Sequence, residues 1–198
     1  IINMKFYFSL LFIFLSLIKP AFSQNSDELL AGQYFANGEF EKAYPLYEKL
    51  LKSNPASIYF YENLFQCYLK LENFNSAEDL VSKQQKRFPS QSIFLIDEGY
   101  IFEKQGKNDK AKKIYNAIIK DLKRDYNWIN NVANAFQKRA RLDYAEQTYL
   151  SGRKLLGDYF AFITELATIY GQMGKKTEQL NEFLKYLEAD ENNLEAVK

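Results

Sequence analysis

The 198-residue sequence has no histidine and a single cysteine, Cys67. Without histidine it lacks the commonest general base at neutral pH and the commonest metal ligand. One cysteine excludes an internal disulfide framework. Cys67 stands beside Tyr68 in an aromatic-rich stretch with no histidine to activate it, so it reads as a packing residue. An excess of either charge is also missing: 26 Lys plus Arg face 25 Asp plus Glu, a formal net charge of +1. The most basic stretch, Lys104 to Lys113, contains an acid and spans a turn, unlike the concentrated basic stripe of a nucleic-acid module. The acidic pairs Asp97-Glu98 and Asp190-Glu191 are adjacent in sequence, whereas acid/base carboxylates converge across a cleft. They are expected at the surface or in turns. "GQMGKKT", Gly171 to Thr177, falls short of a phosphate loop: its glycines are too close, Lys176 takes the hydroxyl position and no strand precedes it. No catalytic residue, metal site or cofactor is therefore expected.

The first residues are unlike the rest. Met4 and Lys5 precede an apolar run from Phe6 to Ile18, then "KPAFSQ" with small residues Ala21 and Ser23. That layout predicts a signal peptide over residues 1–23, cut between Ser23 and Gln24. The run is shorter than the about 20 apolar residues of a membrane span, and no cysteine is placed for lipid attachment. A periplasmic or otherwise exported product is expected, touching membrane only through the signal peptide before cleavage. Ile1, Ile2 and Asn3 precede the normal-looking start at Met4, as if the reading frame opened too early. At the other end, residues 192–198 read as the first turn of a truncated sixth repeat, so the sequence is expected to be the N-terminal piece of a longer product.

Between these ends the sequence repeats. Ala43, Ala77, Ala111 and Ala145 recur every 34 residues, with Gln179 fifth; Tyr34, Tyr68, Phe102, Phe136 and Tyr170 recur likewise. A large apolar residue follows each alanine position by four: Tyr47, Val81, Tyr115, Tyr149 and Phe183. Apolar residues at spacings of three and four, such as Leu30, Ala31 and Tyr34, mark one face of a helix. Turn signals at Asn37-Gly38, Glu72-Asn73, Gly106 and Gly174 divide each period into two antiparallel helices. Helices crossing at about 8 to 10 Å need small contact residues, which accounts for the alanine column and for Ala31, Gly99, Ala133 and Ala167 facing it. Pro55 and Pro89 end second helices, since proline cannot continue one.

This pattern resembles the tetratricopeptide repeat (TPR) family, a helix-turn-helix repeat of 34 residues. The resemblance covers residues 24–191 and implies five repeats in an all-α superhelix, with first helices lining the concave side. Departures are local: Phe65 replaces a small residue, Gln179 replaces the alanine, and Lys123, Gly157 and Glu191 occupy the proline position.

Concave positions not needed for packing read Glu62, Gln66, Tyr100, Asn127, Asn130, Asn134 and Gln137. Relatives that grip a terminal carboxylate present Lys, Arg and Asn there; this chain has asparagine but few bases beyond Lys70, Lys104 and Lys138. An amide offers both donors and an acceptor, so Asn127, Asn130, Asn134 and Gln137, with Tyr100 as a stacking neighbour, are the candidate contacts for a peptide segment or glycan. The resulting expectation is a non-catalytic, exported scaffold or adaptor for a protein partner in the cell envelope. The alternatives are the repeat arm of a larger sensor or enzyme, and a self-association module.

Overall fold

The computed structural model describes residues 19–189, with side-chain surroundings for residues 26–188. The apolar run Phe6–Ile18, the side chains at the expected cleavage point, and residues 190–198 with Asp190-Glu191 lie outside those described. Ten helices and no strand occur among the described residues: α1 (Lys19–Ala36), α2 (Phe40–Ser53), α3 (Ile58–Lys70), α4 (Phe74–Arg87), α5 (Ser92–Lys104), α6 (Asn108–Lys120), α7 (Tyr126–Lys138), α8 (Leu142–Leu156), α9 (Ile163–Gln172) and α10 (Lys176–Ala189). No helix among the described residues is long and apolar enough to cross a membrane. The chain divides into two compact units, Ile1–Ala77 and Glu78–Lys198.

In the first unit α1 packs on α2 and α2 on α3. Ala31 and Ala43 are fully buried at the close approach, and Tyr47, Leu50, Tyr61, Leu64 and Phe65 fill the space around them. Helix α2 stops at Ser53, before Pro55. Ser57 then caps α3, its hydroxyl oxygen accepting from the Phe60 backbone N–H at 3.2 Å.

In the second unit the pairs α5/α6, α7/α8 and α9/α10 pack internally, and α5 also lies against α7. Here the small-residue column has a sharper reason than helix propensity. A Cβ on Gly99 would lie 2.3 Å from Cε1 of Tyr115, a ring that is itself buried. The aromatic two turns along the partner helix has been fitted against bare backbone.

The within-repeat turns share one construction. Gly38, Glu72, Gly106, Ala140 and Gly174 all adopt positive φ. The residue after each donates its N–H back to the aromatic column: Glu39 to the Tyr34 carbonyl, Asn73 to Tyr68, Lys107 to Phe102, Arg141 to Phe136 and Lys175 to Tyr170, at 2.8 to 2.9 Å. This six-to-one bond closes a helix by satisfying a carbonyl that would otherwise be orphaned. The turn at Ala140 carries neither glycine nor asparagine, so it has no signal in the sequence.

Asp97 corrects the surface expectation. Although Glu98 is exposed, Asp97 is wholly buried in α5 and accepts two hydrogen bonds from Arg139, at the C-terminal end of α7. Helix α5 is apolar almost all round, the mark of an element buried on more than one side, and an acid within it can persist only with a partner.

Candidate functional site

The candidate residues separate into three places. Glu62 and Gln66 are half-buried on α3, in the first unit. Tyr100 is half-buried on α5, and Asn127, Asn130, Asn134 and Gln137 lie on α7, in the second.

Helix α7 begins where Asp125 accepts the Trp128 backbone N–H at 2.6 Å. Its apolar positions Ile129, Val132, Ala133 and Phe136 are fully buried, which leaves the amide residues on another side of the helix. Asn127 and Asn134 are exposed; Asn130 and Gln137 are half-buried. The buried Tyr149 of α8 organises them. Its hydroxyl donates to Asn130 Oδ1 at 2.6 Å and approaches Asn134 Oδ1 at 3.4 Å, while Gln137 Nε2 donates to Asn134 Oδ1 at 3.1 Å. Burial raises the Tyr149 pKa, so this hydroxyl keeps its proton and remains a donor. The amide oxygens are thereby engaged from within. Among the described residues the amide nitrogens of Asn130 and Asn134 have no hydrogen-bond acceptor, so the row faces outward as donors. Asn127 adds a whole amide beyond them.

Tyr100, expected as a stacking neighbour, sits among cations: Lys104 Nζ lies 4.9 Å from the ring centroid, and the Arg141 and Arg139 guanidinium carbons lie 5.5 and 5.7 Å away. A cation within about 6 Å of a ring is drawn to the negative charge of its face. The two arginines are neutralised behind it. Arg139 is held by Asp97, and Arg141 pairs with Glu103 at 2.7 Å. Glu103 also accepts the Tyr115 hydroxyl at 3.1 Å, and burial followed by that carboxylate raises the Tyr115 pKa. Sequence reasoning missed this network because its partners are 38 and 42 positions apart. The one signal available was Asp97 set among the apolar residues of α5.

The buried Cys67 thiol is pushed up by burial to about 12, so it is protonated at neutral pH. Among the described residues no group of three or more Cys, Asp or Glu side chains is placed to hold a metal ion.

Models of the tetratricopeptide repeat match residues 34–94 and 162–193. The chain belongs to the tetratricopeptide repeat family. Pre-mRNA-splicing factor 6 of Saccharomyces cerevisiae is 22% identical over 139 residues, which is 70% of this chain and 16% of that protein. This TPR chain thus spans under a fifth of that relative. Among solved structures, a thermophilic TPR protein of Thermus thermophilus, TTC0263, is 21% identical, with 87% of this chain and 94% of that one covered and a TM-score of 0.43. A MamA structure is 16% identical over the same shares, with a TM-score of 0.41. The fold is all-α and of the TPR-solenoid class. Stacked repeats of this class present extended surfaces to other proteins, and a protein–protein interaction scaffold is the role they imply.

Proposed function

We propose that this TPR chain is an exported, non-catalytic scaffold that holds an extended segment of a cell-envelope protein against α7. The observation that carries the reading is the Tyr149 hydroxyl beneath Asn130 and Asn134. Because Tyr149 engages the Asn130 oxygen and Gln137 the Asn134 oxygen, the helix offers a fixed row of N–H donors, and an extended peptide offers carbonyl oxygens at regular intervals. Fixing donors before binding lowers the entropy lost on association. Export is supported by the charged start, the apolar run Phe6–Ile18 and the small residues Ala21 and Ser23. An envelope partner would be met in the compartment that this leader addresses.

The test is affinity capture from envelope extract with the full chain, beside an Asn127→Ala/Asn134→Ala variant. Both substituted residues are exposed, so the fold is retained. A specific protein held by the first and lost by the second is expected. Equal retention by the two would falsify the placement on α7, and a purified partner that binds only after α7 is proteolysed would overturn the scaffold reading itself.

A further inference from the structure

We propose that a second copy of this chain docks on α10, the two α10 helices lying antiparallel about a two-fold axis. This surface is on a different helix from the amide row.

Helix α10 is apolar on two sides. One side faces its own unit, with Glu182 buried and Phe183 half-buried; on another, Leu180 and Leu184 stand 56% and 49% exposed. The two leucines are not the surface that receives a neighbouring repeat. That surface is the Phe183 column, buried in each earlier repeat at Tyr47, Val81, Tyr115 and Tyr149. The position of Leu184 is exposed in each of them, at Glu48, Ser82, Asn116 and Leu150. In every earlier second helix at least one of the two leucine positions carries a charge: Glu48, Glu78, Lys112 and Glu146. Only α10 is apolar at both.

The charges at the two ends of this stripe say what covers it. A cation is favoured at the C-terminal end of a helix and an anion at the N-terminal end. The four earlier second helices follow the rule, with Lys52, Lys86, Lys120 and Lys154 in their last turns. Helix α10 breaks it at both ends of the stripe: it opens on Lys176, and at the lysine position of its last turn it has Glu188 and no base. Both are exposed, and neither forms a salt bridge among the described residues. Each is a small local cost that an antiparallel mate removes, because such a mate sets its own C-terminal end beside Lys176 and its N-terminal end beside Glu188.

The spacing is self-complementary as well. Lys176, Leu180, Leu184 and Glu188 are four apart and form one ridge of the helix. Two such ridges pack at about −50°, the commonest crossing class. A two-fold contact requires that if one residue meets a second, the second meets the first. Centred between the leucines, that symmetry puts Leu180 on the partner's Leu184 and Lys176 on the partner's Glu188, and then the same pairs in reverse. A parallel pair would set lysine on lysine and glutamate on glutamate. The leucines supply the apolar contact, and the charges fix orientation and register. A dimer also carries two amide rows, so a partner with two extended segments would be held by avidity. That consequence rests on the proposed role of α7; the dimer does not.

The test is sedimentation equilibrium of the full chain from about 1 μM to about 1 mM, the range suited to a contact of one helix per partner. Because the run Phe6–Ile18 can associate on its own, the readout is the dependence of mass on the two charges. Wild type is expected to approach twice the chain mass. Lys176→Glu and Glu188→Lys are each expected to weaken dimerisation roughly ten-fold or more, since each turns two attractive pairs into repulsive ones. The double variant Lys176→Glu/Glu188→Lys should recover it, and so should a mixture of the two single variants. Both single changes agree with the helix dipole, so thermal unfolding of the dilute variants should be no lower than wild type, which separates loss of the dimer from loss of fold. A chain that stays monomeric across the range overturns the proposal. So does a dimer that neither single variant weakens, or a double variant that associates no better than the singles.

Discussion

Gly99 and Gly32 are both helical glycines, and what surrounds each gives the same substitution opposite signs. Alanine in a helix interior is favoured over glycine by about 0.8–1 kcal/mol. At Gly32 nothing lies within 4 Å of an added Cβ, so Gly32→Ala should stabilise by most of that amount. At Gly99 the added carbon meets the Tyr115 ring at 2.3 Å. That ring is buried and held through its hydroxyl to Glu103, so overpacking at about 1–3 kcal/mol exceeds the gain. Gly99→Ala should therefore destabilise. Chemical denaturation of the two variants checks both signs, and a stabilised Gly99→Ala would show that the Tyr115 ring is free to move. The column to which Gly99 belongs was legible in the sequence because smallness repeats at a fixed period. The reason for glycine rather than alanine was not, because it depends on which ring of the partner helix points back.

Between elements, the pairing of α5 with the end of α7 rests on polar as well as apolar contact. Asp97 is fully buried and Arg139 is 6% exposed. Removing one partner strands a charge in the interior, at about 3–5 kcal/mol, whereas replacing both by apolar groups is often neutral. Arg139→Ala is expected to lower the unfolding free energy by that amount, and Asp97→Leu/Arg139→Met by much less. Equal losses in single and double variants, measured by urea unfolding, would mean that Arg139 contributes only packing. The helices themselves were largely legible, since apolar spacing and turn residues agree in most repeats. The start of α9 at 163, three residues later than the period of α3, α5 and α7 would place it, was not, because Phe162 takes a left-handed conformation that its residue type does not announce and that only the rings of Tyr126 and Tyr149 explain. The amide row was placed on α7 by register alone. Its outward donors became visible only with Tyr149 beneath it.

For the molecule as a whole, the missing histidine leaves no side chain with an ordinary pKa between the carboxylates and the thiol. Stability should then be level through neutral pH, falling in alkali, where the unfolded chain loses the protons that burial holds on Cys67, Tyr115 and Tyr149, and also in acid. Glu182 is one source of the fall in acid. Burial acts to raise its pKa, but hydrogen bonds from Arg153 and Lys185 prevail and lower it below the ordinary value of 4.5. A group lowered in the folded state contributes fully above its unfolded pKa and loses that contribution as pH drops through the folded one. Wild type should therefore exceed Glu182→Gln by about 1–3 kcal/mol above pH 5, with the gap closing progressively in more acid solution. A gap independent of pH in thermal unfolding would assign the loss to packing instead.

A chain of repeats built on the same apolar columns faces a hazard that a unique fold does not: one repeat can stack on the wrong neighbour with those columns still matched. The buried ion pair is a safeguard against that error. One period before and after Asp97 stand Asn63 and Asn131, and one period before and after Arg139 stand Gln105 and Met173. A stacking shifted by one repeat would keep the alanines and aromatics in place but bury a carboxylate or a guanidinium without its counterion. The ion pair thus proofreads assembly, marking which of several interchangeable surfaces has met its proper mate.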